Sequence, residues 1–334
     1  MVQVFRQVWR VLRDDGVLFL NLGDTYCTKA GKGDNAPQTK WKKGATYPNG
    51  APHRRAELEG FKPKDRIGIP HRVAFALQAD GWYWRDEVVW DKVNPMPQSA
   101  TDRCSGVHEI VFMFSKRERY FYDWKAIEET ATQKGRVRSD PVGGNKYIEG
   151  VKHSNGSVFE GSDNRRKRSV WSIASHPLKE KHFAAFPPRL VEVCVRAGTS
   201  QKGCCRKCGA PVVRVLEKTR VATRPGLDSK VFGGPNSQFR VSKDPRHQEE
   251  WDGKEVGNRD PQRHVTGTKT IGWKAGCDCG EGTVPCIVLD MFSGAGTTCL
   301  VAKQLGRRYL GIELNPDYVA MSNRRINGAA PRLV

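Results

Sequence analysis

The chain has no apolar run approaching the roughly 18 residues of a membrane-spanning helix. Its first residues also lack the short apolar core of a secretory leader, so a soluble, intracellular and cytoplasmic protein is expected. Acidic residues are scarce: 36 Asp and Glu stand against 56 Lys and Arg, a formal charge of +20. That excess is larger than solubility requires and favours a polyanionic partner. The eight histidines fall at no ligand spacing, which removes histidine metal chemistry from the expectations. At 334 residues the chain holds one large or two modest domains.

What is present is concentrated near the end. Val288-Leu289-Asp290-Met291-Phe292-Ser293-Gly294-Ala295-Gly296-Thr297-Thr298 reads as a buried strand that stops at an acid, followed by a turn whose two glycines let backbone approach a ligand closely. Residues 297–305 read as a helix ended by Gly306, and 307–313 as a second strand ending in Glu313. Such a unit places ligand at the carboxyl edge of a parallel sheet, with the second carboxylate set to accept from ribose hydroxyls. Cys299 stands where a nicotinamide fingerprint wants a third glycine, and no Gly-Lys-Ser/Thr follows. An adenosyl ligand without a pyrophosphate fits better.

The segment resembles the cofactor motif of S-adenosylmethionine-dependent DNA methyltransferases of the adenine-N6/cytosine-N4 family, Asp-Pro-Phe-x-Gly-x-Gly-Thr-Thr, with Met291 in place of the proline. The resemblance implies an α/β fold: a Rossmann-like class I methyltransferase sheet with helices on both faces. Only one strand fits after Asp290, so the others must come from the N-terminal half, in agreement with the family's circularly permuted class. It also implies S-adenosylmethionine as cofactor, double-stranded DNA as partner and a place in restriction-modification. Asp290, Phe292, Gly294, Gly296 and Thr297 would then shape the cofactor pocket, with Glu313 on the ribose. Asn315 would cap the helix that follows, with Pro316 in its first turn. Methyl transfer from S-adenosylmethionine to an exocyclic amine of a flipped adenine or cytosine is the expected reaction. The rivals are an RNA methyltransferase and a non-catalytic DNA-binding protein on the same scaffold.

Along the chain, residues 1–128 read as the catalytic-side half. A helix carries Val4, Phe5, Val8, Val11 and Leu12, and a strand over 17–22 ends in Asn21-Leu22-Gly23-Asp24. That end is either a substrate site holding Asn21 and Asp24, as the family's Leu-Asn-Leu-Gly-Asp suggests, or a capped strand exit. Residues 27–64 are a long basic loop, read either as facing DNA or as merely solvated. A helix over 69–79 and strands over 82–90 and 109–114 follow, joined by a proline-rich connection where Asn94 and Pro95 match the family's Lys-x-Asn-Pro-x-Pro near the extruded base. Residues 129–170 read as a target-recognition-like, DNA-facing segment whose run Arg165-Arg166-Lys167-Arg168 is assigned to phosphate contact. Residues 171–200 hold a family-like His-Phe-Ala-Ala-Phe-Pro-Pro, in which Phe183 lines the methionine end of the cofactor or is a core aromatic, and then a helix.

Residues 201–283 form an insertion bracketed by cysteines. Cys205 and Cys208 have zinc-knuckle spacing and Cys277 and Cys279 supply a tighter pair, so four thiolates could close a structural zinc site; packed thiols are the alternative, and Cys204 could replace Cys205. Between them, 218–272 is polar and turn-rich and is expected to be a flexible excursion. Residues 284–334 are the S-adenosylmethionine-binding half. The family's Asp/Ser/Asn-Pro-Pro-aromatic tetrapeptide, which grips the target amine, occurs nowhere in the chain, so no catalytic residue is assigned. In the permuted order its strand would precede Met1 and lie centrally beside the one ending at Asp290. The expectation is an N-terminally truncated enzyme, inactive alone unless a further segment or separate polypeptide supplies that strand.

Overall fold

The computed structural model describes residues 1–27, 60–131, 137–138, 157–158, 164–176, 186–222 and 264–330. In chain order the elements are α1 (Val2–Val11), β1 (Val17–Asn21), α2 (Ile69–Ala79), β2 (Tyr83–Asp91), β3 (His108–Ser115), a 3-10 turn (Trp124–Ile127), β4 (Glu129–Thr130), β5 (Val137–Arg138), β6 (Ser157–Val158) and β7 (Asn164–Arg165). There follow β8 (Val170–Ser172), α3 (Pro188–Gly198), β9 (Cys204–Cys205), β10 (Val213–Ala222), β11 (His264–Lys274), β12 (Thr283–Val284), β13 (Ile287–Asp290), α4 (Thr297–Gln304), β14 (Arg308–Gly311) and α5 (Pro316–Asn327). Two compact units result: Met1–Asp123 with Arg168–Pro211 and Cys279–Val334, and Trp124–Lys167 with Val212–Asp278. Among the described residues no helix is long and apolar enough to cross a membrane.

The first unit is built on a sheet of order β1-β3-β2-β8. β1 alternates, burying Leu18 and Leu20 while its other side chains are half-buried, and it runs antiparallel to β3 from Val17↔Ser115 to Asn21↔Val111. β2 pairs antiparallel with β3 and parallel with β8. Phe5 and Val8 of α1 and Ala74 and Leu77 of α2, each pair three residues apart, pack on Leu18, Leu20, Ile110, Phe112 and Phe114 around Trp82. Trp9 meets Trp82 edge-on at 5.0 Å, the arrangement that ring quadrupoles favour.

In the same unit β13 and β14 form a parallel pair, Ile287↔Arg308 to Asp290↔Gly311, with α4 as the crossover. α3 covers both this pair and β1. Its Val191 and Val195 pack with Val288, Val301 and Leu305, and a Cβ on its Gly198 would lie 2.8 Å from Val17. Yet β1 pairs on one side with β3 and β13 on one side with β14, and among the described residues nothing is hydrogen-bonded to their other edges. Ile287 and Leu310 of the small sheet are about half exposed, unusual for parallel strands, whose two faces are normally covered.

The second unit joins two stretches that are far apart in sequence. β4 pairs with β7, β5 with β6, and β10 with β11 in a ten-residue antiparallel ribbon with a bulge at Val215/Leu216. Lys125, on the 3-10 turn, donates to Glu128 at 2.9 Å and to the Thr268 carbonyl of the ribbon at 2.8 Å. Over 218–222 and 264–272 the ribbon differs from the flexible excursion expected over 218–272, while residues 223–263 lie outside the described residues. Polar composition suggested disorder, but Val213, Val215, Val221, Val265, Thr266, Thr268, Thr270 and Ile271 are β-branched residues that favour a pleated strand.

Candidate active site

Asp290 ends β13, and its Oδ1 accepts from the Phe292 N–H at 3.0 Å, which starts the turn. Gly294 and Gly296 both have positive φ, +49° and +72°. Gly296 also has no room for a side chain, since a Cβ there would lie 2.0 Å from Ser322 Oγ of α5. Gly311 on β14 is held to glycine in the same way by Ser293 Oγ at 2.6 Å. The turn is therefore pressed between α5 and β14, and its backbone is fixed before any ligand arrives.

Glu313 pins it from the second strand. Its Oε2 accepts from the Gly294 N–H and its Oε1 from the Asn315 N–H, each at 2.8 Å. Arg325 of α5 donates to the Ala295 carbonyl and, at 3.3 Å, to Thr297 Oγ1. Phe292 is exposed and offers an apolar ring next to the turn. A fixed glycine turn, an acid at the end of each parallel strand and an exposed ring suit a nucleoside with free ribose hydroxyls, so the residues present fit S-adenosylmethionine. A cavity of about 480 Å³ lies elsewhere: Val301, Gln304 and Leu305 line it at the far end of α4, together with Pro187, Pro188 and Arg189.

The other candidates are largely engaged by their own fold. Asn21 Nδ2 donates to the Ile110 carbonyl at 3.0 Å, tying β1 to β3. Asp24 accepts from the N–H groups of Thr25 and Ile69 and from Arg66 Nε at 2.6 Å. Burial alone would raise its carboxyl, but the Ile69, Arg66 and Thr25 hydrogen bonds outweigh that and hold it below the ordinary value. Asn94 exchanges two hydrogen bonds with the Ser175 backbone, and Pro95 is exposed beside it. Phe183 lies outside the described residues.

In the basic run, Arg165 pairs with Glu129 at 2.9 Å and Lys167 approaches the same carboxylate at 3.9 Å. Both are half-buried because β7 pairs with β4 and sets Arg165 opposite Glu129. Arg166 and Arg168 point outward, Arg166 lying 4.8 Å over the Trp124 ring. The sulfurs of Cys205, Cys208, Cys277 and Cys279 all lie within 4.8 Å of one another. Cys204 is outside that set and donates to the Val284 carbonyl at 3.5 Å. Sequence reading missed Ser322 and Arg325, which shape the turn from a helix whose pattern carries no motif.

The turn, its two acids and the sheet before it suit an α/β enzyme that takes a nucleoside. The family profile described as DNA methylase, of the N6/N4 type, matches residues 1–205 and 286–324. The chain belongs to this family and is a DNA methyltransferase. It is 32% identical over 329 residues to the type II methyltransferase M.XycI of Xanthomonas campestris pv. cyanopsidis, a match covering 98% of this chain and 70% of that protein. Against the type II methyltransferase M.SmaI of Serratia marcescens it is 31% identical, over 98% of this chain and 72% of that protein. Among solved structures, the cytosine-N4-specific PvuII DNA methyltransferase matches at TM-score 0.46 and 14% identity, over 98% of this chain and 72% of that one.

Proposed function

We propose that residues 290–313 bind S-adenosylmethionine and that the protein methylates the exocyclic amine of adenine or cytosine in a base flipped out of duplex DNA. The observation that supports this most is Glu313: it ends the second strand and accepts from the Gly294 N–H at 2.8 Å, which sets a carboxylate, the acceptor that ribose hydroxyls require, against the glycine turn. Bound S-adenosylmethionine supplies an electrophilic methyl group on a cationic sulfur. Asp290 and Gly294 to Thr297 fix the pocket wall, Phe292 offers a ring for the adenine, and Phe183 is proposed for the methionine end. Asn21, Asp24 and Asn94 position the target-side strands rather than touch the amine, with Pro95 at the pocket rim. Arg166 and Arg168 are the proposed phosphate contacts from the basic run. Zinc at the cysteine quartet stands outside this chemistry and would be structural.

We read the first unit as a permuted Rossmann-like sheet with one position open. β1 and β13 lie under the same helix, α3, without pairing with each other. A helix about 10 Å across spans strands two positions apart at about 4.8 Å spacing, so one further strand fits between them. The polar-Pro-Pro-aromatic tetrapeptide that residues 1–334 lack is the group the reaction still needs, and a strand in that position would carry it.

Two measurements test the reading. Calorimetry should find S-adenosylmethionine binding by residues 1–334, weakened about tenfold or more by Glu313→Gln, since a hydrogen bond to a charged group contributes about 1.5–3 kcal/mol. Methyl incorporation from labelled cofactor into duplex DNA should be negligible for residues 1–334 alone and restored by a segment bearing the tetrapeptide. Absence of cofactor binding overturns the first claim; robust turnover by the chain alone overturns the second.

A further inference from the structure

The cysteine quartet is not used by methyl transfer, and its geometry has its own logic. Cys205 ends β9, and Gly209, just after Cys208, has φ +73° and donates its N–H back to the Cys205 carbonyl at 2.8 Å. Gly280, just after Cys279, repeats the feature with φ +67°. A positive-φ glycine behind each cysteine pair turns the backbone sharply, so that two sulfurs of one short loop converge on one point. The Arg206 N–H donates to the Gly282 carbonyl at 2.9 Å, and β9 pairs with β12 at Thr283↔Cys205 and Val284↔Cys204, which holds the two loops together.

Sulfur positions decide what the quartet can hold. In a tetrahedral thiolate site with Zn–S near 2.3 Å, neighbouring sulfurs are about 3.8 Å apart. All four lie within 4.8 Å of one another, so side-chain rotations that bring neighbouring sulfurs about 1 Å closer at most close the tetrahedron. A disulfide instead demands about 2.05 Å between two sulfurs and gives no reason for four to gather. Four thiolates on one divalent ion carry two net negative charges, and the Cys205–Cys208 loop itself carries two cations, Arg206 and Lys207. Arg13 donates directly to the Cys208 carbonyl, and a Cβ on Gly209 would lie 2.6 Å from its guanidinium.

We infer that Cys205, Cys208, Cys277 and Cys279 bind one zinc ion in a closed tetrathiolate site that ties together the two chain ends of the β10–β11 excursion. All four positions are protein sulfurs, so no ligand site is left for water or substrate and the ion is structural. The tie shortens the excursion from residue 209 to 276 into a closed loop, which lowers the entropy of its unfolded forms. The inference does not depend on the methyltransferase reading.

Metal analysis of the full chain, purified without chelator and without a metal-binding tag, should find about one zinc per chain. The double variant Cys208→Ser/Cys279→Ser should lose it, while Cys104→Ser, at an exposed cysteine outside the quartet, should keep it. Cobalt(II) exchange into the unaltered chain provides a second reading that does not require the double variant to fold: tetrahedral thiolate ligation gives intense visible d–d bands with sulfur-to-metal charge transfer. Stripping zinc with a chelator should lower the melting temperature and leave S-adenosylmethionine affinity unchanged. A metal-free chain of equal stability, iron in place of zinc, a disulfide within the quartet, or zinc retained by the double variant would each overturn the inference.

Discussion

Tyr122 sits between two backbone ties, Phe121 N–H to the Asp15 carbonyl and Asp123 N–H to the Ala197 carbonyl, both at 2.8 Å. Burial, with added repulsion from Asp86, pushes its hydroxyl up to about 12. An unfolded tyrosine ionises near 10, so as pH rises through that value the unfolded chain releases a proton that the folded one keeps. Stability is then intact below about pH 10 and falls between about 10 and 12. Urea midpoints at about pH 9 and 11 should separate for the parent chain, and Tyr122→Phe should narrow the gap. An unchanged gap would remove Tyr122 as a contributor.

At the scale of elements, the cofactor half is set by how two helices start. α5 begins at Asn315, whose Oδ1 accepts from the Asp317 N–H at 2.9 Å, with Pro316 in its first turn. Asn315→Ala should cost about 1 kcal/mol, read from the shift in thermal or urea unfolding, and Asn315→Asp much less. α4 begins at Gly296, which is left-handed and where a Cβ would lie 2.0 Å from Ser322 Oγ. Gly296→Ala should therefore destabilise more, by about 1–3 kcal/mol from backbone strain plus the clash, and weaken S-adenosylmethionine binding as well. Equal effects of the two substitutions would mean that α5 moves aside more easily than its packing suggests.

For the molecule as a whole, a net charge of +20 makes DNA affinity a question of salt. Duplex binding should weaken steeply from low to moderate salt, each neutralised phosphate adding about −0.9 to the slope of log K against log salt. Replacing Arg166 and Arg168 with alanine should reduce that slope by up to about two units at most. Arg165 and Lys167 face Glu129 instead, so their loss should act more on stability than on the slope. A flat salt response would remove the phosphate contacts from the proposal.

Much of this was legible in the residues. Period determined the elements: α1 from Phe5 and Val8, β1 from Leu18 and Leu20, the glycine turn from an apolar run ending in Asp290, and the cap of α5 from Asn315-Pro316. These are local signals, written within a few residues of where they act. Spacing also named the four cysteines, but whether their sulfurs converge depended on β9 pairing with β12 across a long stretch of chain. Tertiary structure alone decided that residues 124–167 and 212–278 share one unit, and that Ser322 and Arg325 shape the turn. It also decided that Arg165 and Lys167 turn inward to Glu129, and that β1 and β13 share a helix without sharing a hydrogen bond. Each of those joins residues distant in sequence, and composition and period carry no information about which distant surfaces meet.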